Sequence, residues 1–131
     1  MSNADKPRVL VMDDEATIRE LIGEVLGAAG YETEFAGDGA EAVEKYRREK
    51  EDARTFNVVI MDLTIPGGMG GKEAIKKLLE LDPDVRAIVS SGYARDPMME
   101  EYEKYGFTGA IAKPYNIKEL VALVNKVVGE G

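Results

Sequence analysis

Four short stretches carry the residues able to do chemistry: Asp13-Asp14-Glu15, Asp62, Ser90-Ser91 before Gly92, and Lys113 before Pro114. Each stands at the end of an apolar run of strand length. The chain has no Cys and no His, which removes thiol nucleophiles, imidazole bases, zinc-thiolate sites and Ser-His or Cys-His catalysis. Carboxylates, hydroxyls and an amine are left. Gathered in one crevice, the carboxylates oppose one another's ionisation, and a bound cation relieves that cost. Oxygen ligands without His or Cys favour Mg2+ or Mn2+ over zinc, and Mg2+ takes one or two carboxylates, waters and phosphate oxygens. The set points to phosphoryl chemistry.

Taken singly, the stretches also have structural uses. Asp13-Asp14-Glu15 suits a helix N-terminus, Ser90 and Ser91 suit a turn, and Lys113 suits a solvated surface. Asp62 resists such a reading, because an unpaired acid at the centre of a parallel sheet is expensive. The chemical reading rests on the conjunction of all four.

The elements that must position these residues follow from periodicity. Arg8 to Met12, Glu32 to Ala36, Asn57 to Met61, Arg86 to Ser90 and Gly109 to Ala112 read as strands. Between and after them lie helical stripes: Ile18 to Ala29, Ala42 to Tyr46, Ile75 to Leu79 ending at Asp82-Pro83, Pro97 to Tyr105, and Ile117 to Val127. This alternation predicts an α/β fold, a doubly wound five-stranded parallel sheet in a three-layer sandwich. Ligands of such sheets bind outside the carboxyl ends of the strands, where the four stretches stand.

The 131 residues are 44% hydrophobic and 32% charged, with a formal net charge of −8. One globular domain fits this length, and the charge opposes binding to nucleic acid or anionic membrane. No apolar run approaches a membrane span, and none opens the chain as a signal segment, so a cytoplasmic location is expected. Residues 1–4 (MSNA) read as an added leader, which leaves residues 5–131 as a single domain.

With these motifs assembled, the chain resembles the receiver domain of two-component signalling, the phosphoacceptor module of response regulators. The resemblance runs from Arg8 to about Val128. It rests on Asp13-Asp14, Asp62 in VVIMDLTIPGG, the hydroxyl in IVSSGYA, and Lys113-Pro114 in AIAKPY, all in family order and spacing. It implies a (βα)5, flavodoxin-like fold and a phosphoryl group accepted on Asp62 from a phosphohistidine donor. Asp14 and Asp62 would ligate Mg2+ (or Mn2+) with the Thr64 backbone carbonyl, and Asp13 would act through water. Ser91, which fits the family position better than Ser90, would bond one phosphoryl oxygen and Lys113 another. The implied partners are a histidine kinase or histidine phosphotransfer domain, with an effector domain possible in the same chain. The family's Lys-Pro bond is typically cis. No enzyme activity is expected beyond self-phosphorylation and dephosphorylation of Asp62.

The match departs at Ala110, where receivers usually carry an aromatic whose rotamer follows the hydroxyl. Tyr115 and Tyr93 are candidate substitutes. With that aromatic absent, onward transfer in a phosphorelay, or service within a hybrid sensor kinase, is expected more than a large conformational output, and the TIPGGMGGKEA segment resembles receivers attached to hybrid histidine kinases. Three other classes compete: a small haloacid-dehalogenase-like phosphatase, in which an acid would stand at Thr64; a flavodoxin-like cofactor binder, opposed by the acidic crevice; and a docking-only pseudo-receiver.

Two glycine-rich segments imitate nucleotide motifs. Gly37 to Ala42 satisfies a GxGxxA pattern but puts Asp38 and Glu41 where a pyrophosphate would sit, so it reads as a helix entry capped by Asp38. Gly67 to Lys72 has Glu73 where a phosphate loop needs Ser or Thr; its glycines predict local mobility. Met98, Met99, Tyr102 and Tyr105 form a stripe read as half core, half docking surface.

Overall fold

The computed structural model describes residues 6–129; the leader assigned to residues 1–4 lies outside them. Five strands, β1 (Arg8–Met12), β2 (Glu32–Ala36), β3 (Val58–Asp62), β4 (Ala87–Ser91) and β5 (Gly109–Ala112), form one parallel sheet in the order β2-β1-β3-β4-β5. Helices α1 (Ala16–Ala28), α2 (Gly39–Glu51), α3 (Gly71–Leu81), α4 (Pro97–Glu100) and α5 (Ile117–Gly129) cover it. No helix among the described residues is long and apolar enough to cross a membrane.

Strands buried on both faces read as continuous apolar runs, and β1, β3 and β4 are buried at every position. Their side chains alternate between two cores. Leu10, Met12, Val59, Met61, Ala87 and Val89 pack with α2, α3 and the two methionines of α4. Val9, Val11, Val58, Ile60, Ile88 and Ile111 pack with α1 and α5. By the same alternation, Asp13, Asp62, Ser90 and Lys113 continue the rows on the α1/α5 side.

The boundaries differ from the periodicity in two places. Strands β3 and β4 each begin one residue later than the apolar runs and reach Asp62 and Ser91, because these polar residues continue the ladder: Asp62 is registered with Ser90, and Ser91 with Ala112. The expected helix from Pro97 to Tyr105 stops at Glu100. Glu101 leaves helical geometry, and Tyr102–Tyr105 tightens into a 3-10 turn closed by Gly106 at φ 95°. The spacing of Met99, Tyr102 and Tyr105 by three suits that tighter turn. Both methionines are core, Tyr102 is partly buried and Tyr105 is exposed.

Caps and glycines fix the loops. Asp38 caps α2 by accepting from Glu41 N–H at 2.9 Å, and Glu41 Oε1 accepts from Gly37 N–H at 2.7 Å. The glycine-rich loop is tied to that same helix entry: Gly39 N–H donates to the Met69 carbonyl at 2.6 Å, and Met69 packs on the core. A Cβ at Gly70 would stand 2.4 Å from the Leu63 carbonyl, and one at Gly71 3.0 Å from the Asp62 carbonyl. The glycines there admit close approach of α3 to the end of β3.

Candidate functional site

All four chemical stretches meet at the carboxyl edge of the sheet. Asp13 follows β1 and is 1% exposed; its N–H donates to the Ala36 carbonyl at 3.0 Å, and Arg19 Nη1 donates to its carbonyl at 2.6 Å. Its Oδ1 accepts from Glu15 N–H at 2.9 Å, so the carboxylate braces its own turn. The helix-capping alternative does not hold, since α1 begins after Glu15 with no side-chain cap and no acid in its first turn.

Asp62 ends β3, and Lys113 follows β5, its N–H donating to the Ser91 carbonyl at 2.8 Å. The Lys113 ammonium donates to Asp13 Oδ2 at 2.8 Å and to Asp62 Oδ2 at 3.0 Å. Carboxylate oxygens of Asp13, Asp14 and Asp62 lie within 4.8 Å of one another, with Asp14 the exposed member. Thr64 is exposed beside them, its N–H 3.4 Å from Asp62 Oδ1. Ser91 is buried, and its Oγ accepts from Tyr93 N–H at 3.0 Å. Ser90 and Ser91 therefore belong to a strand, not a turn. The Lys113–Pro114 bond is cis.

The electrostatics follow from burial and pairing. Burial pushes the Asp62 carboxyl above the usual carboxylate range, against the pull of Lys113, and the neighbouring Asp13 charge adds to the rise. Burial also opposes the Lys113 charge, but its hydrogen bonds to Asp13 and Asp62 outweigh it and hold the ammonium well above the ordinary lysine range. The donor set fits a hard divalent cation: three carboxylates against one ammonium leave net negative charge, and every donor is oxygen.

One pair escaped sequence reasoning. Ser90 Oγ and Tyr115 OH are 2.5 Å apart. Ser90 is fully buried, and Tyr115 packs partly buried on the α1/α5 core, where burial pushes its hydroxyl pKa up. The signal available was strand parity, which turns Ser90 toward α5 and Ser91 the other way. Of the two tyrosines weighed against Ala110, Tyr93 is 78% exposed, and Tyr115 reaches into the site's foundations.

Comparison with known proteins places the chain in a family. The family profile described as response regulator receiver domain matches residues 9–125. The chain is 39% identical over 121 residues to the chemotaxis protein CheY of Thermotoga maritima, covering 92% of this chain and 96% of that one. It is 33% identical over 119 residues to sporulation initiation phosphotransferase F of Bacillus subtilis, covering 91% of each. A CheY-like receiver domain structure from Methanospirillum hungatei superposes with a TM-score of 0.84 at 27% identity, covering 96% of each chain. Sequence and fold therefore agree, and the chain belongs to the response regulator receiver domain family.

Proposed function

We propose that Asp62 accepts a phosphoryl group from the phosphohistidine of a histidine kinase or histidine phosphotransfer domain, in a Mg2+-dependent reaction. The observation that carries this reading is the ammonium of Lys113 held between Asp13 and Asp62 at the mouth of the sheet. An Asp62 oxygen attacks phosphorus, the O–P bond forms, the P–N bond of the donor breaks, and the imidazole leaves with the electron pair. A carboxylate needs no general base, so positioning and charge neutralisation supply the catalysis. Asp13, Asp14, Asp62 and the Thr64 carbonyl would hold Mg2+ (or Mn2+), which when bound neutralises charge on the transferring group. Lys113 pairs with one phosphoryl oxygen and the Ser91 hydroxyl donates to another.

Family membership sets aside the phosphatase and flavodoxin readings, while a docking-only domain is separated by experiment. The absence of an aromatic at Ala110 favours onward transfer in a relay, or service within a hybrid histidine kinase; a cytoplasmic location goes with either reading. Intact-mass spectrometry after incubation with acetyl phosphate tests the acceptor role. One phosphoryl adduct is expected on the wild type with Mg2+, and none after chelation or with Asp62→Asn. A folded wild type that takes neither phosphoryl nor beryllofluoride would be a docking-only domain.

A further inference from the structure

The hydroxyl pair beneath the site has no part in the mechanism above. Ser90 is registered with Asp62 of β3 across the sheet and adjoins Ser91 in sequence. Tyr115 stands two residues past Lys113, on the loop that leads to α5. Their 2.5 Å hydrogen bond therefore ties the strand end bearing the Ser91 hydroxyl to the loop bearing the ammonium. A second tie, Lys113 N–H to the Ser91 carbonyl at 2.8 Å, runs parallel to it through the backbone. Between β4 and β5 the ladder ends at Ser91 and Ala112. Beyond that point these two bonds join the loop to β4.

We infer that Tyr115 is a positioning residue: through Ser90 it fastens the Lys113 loop to the end of β4, so that ammonium and Ser91 hydroxyl meet the phosphoryl group as one rigid unit. The inference rests on the phosphoacceptor reading of Asp62. With Ala110 small and β5 only four residues long, no bulky side chain at that position clamps the same strand end. The tie acts on placement: the two hydroxyls bond each other, and neither is bonded to the Asp62 carboxylate, whose side-chain partners are Lys113 and the Thr64 N–H.

The test compares Tyr115→Phe, Ser90→Ala and the double variant. Each single change strands one buried hydroxyl and lowers the melting temperature; the double change removes both polar groups, which is close to neutral, and restores it. Labelling by acetyl phosphate is expected to fall about tenfold in all three, the scale of a small misplacement of a catalytic group, with the Mg2+ dependence of the rate unchanged. Deuterium exchange at the Lys113 amide is expected to speed several-fold in all three. A rate that recovers with stability in the double variant, or wild-type labelling by Tyr115→Phe, would show a merely structural bond and overturn the inference. If the wild type itself takes no phosphoryl group, the acceptor reading fails separately. Amide exchange then decides alone: faster exchange supports the fastening, and unchanged exchange ends it.

Discussion

Lys113 Nζ donates to Asp62 Oδ2 at 3.0 Å across a separation of 51 residues, and the same ammonium holds Asp13 Oδ2 at 2.8 Å. One cation thus serves two buried acids in the unmodified domain. A phosphoryl group accepted on Asp62, as proposed, would compete for it and so couple the charge state of Asp62 to the position of the β5–α5 loop.

Lys113→Ala is expected to cost about 2–3 kcal/mol of folding stability, somewhat below the figure for breaking a fully buried pair, because the lysine side chain is 20% exposed. It leaves two buried carboxylates uncompensated. Added Mg2+ should recover most of the loss, since the oxygens of Asp13, Asp14 and Asp62 stay clustered. Urea unfolding with and without Mg2+ checks this; a deficit indifferent to Mg2+ would separate the ammonium from the cation site.

Asp62→Asn is expected to abolish labelling and also raise the melting temperature by a few degrees at neutral pH. Asp62 has its carboxyl pKa raised in the folded state by burial, with Asp13 adding to the rise. A raised folded pKa means its favourable contribution is fully present below the unfolded value, about 3.9, and lost as pH rises through the folded one. At neutral pH the ionised group therefore burdens the fold, and asparagine removes the burden. The advantage should shrink toward pH 4. Calorimetry across that range checks the sign, and a destabilised Asp62→Asn at pH 7 would contradict it.

Much of this site is legible in the sequence because parallel strands advertise themselves as apolar runs and their ends collect the polar residues. Asp62, Ser91 and Lys113 are readable for that reason. The shifted boundaries of β3 and β4 have the same origin, since a polar residue that ends an apolar run still pairs in the ladder. The stripe from Pro97 to Tyr105 does not reveal its break, because its apolar spacing suits both α and 3-10 geometry and Glu101 decides between them. The Ser90 to Tyr115 bond requires knowing which strands are neighbours. Arg8 hides its role within an apolar run.

Two glycines should respond oppositely to alanine. At Gly70 the new Cβ meets the Leu63 carbonyl at 2.4 Å and the Ile65 nitrogen at 3.1 Å, both backbone atoms in the loop that follows Asp62, so the loop must shift. Gly70→Ala is expected to lose stability and labelling together. At Gly27, within α1, an added Cβ would meet nothing within 4 Å, so Gly27→Ala should gain roughly 0.5–1 kcal/mol from helix propensity with labelling unchanged. Urea midpoints with acetyl phosphate labelling test both.

Arg8 separates stability from chemistry, because it lies at the opposite edge of the sheet. Its Nε donates to Glu32 at 2.6 Å and its Nη2 to Glu49 at 2.7 Å, and it also donates to the Arg54 carbonyl. The guanidinium sits 4.5 Å over the Phe56 ring. One planar cation thereby joins β1, β2 and α2, a geometry lysine cannot copy. Arg8→Ala, leaving two carboxylates and an aromatic face without their cation, is expected to cost about 2–4 kcal/mol, and Arg8→Lys to recover less than half. Labelling of Asp62 per folded molecule should stay at the wild-type rate in both. A slowed rate in fully folded Arg8→Ala would mean that the two edges of the sheet are coupled.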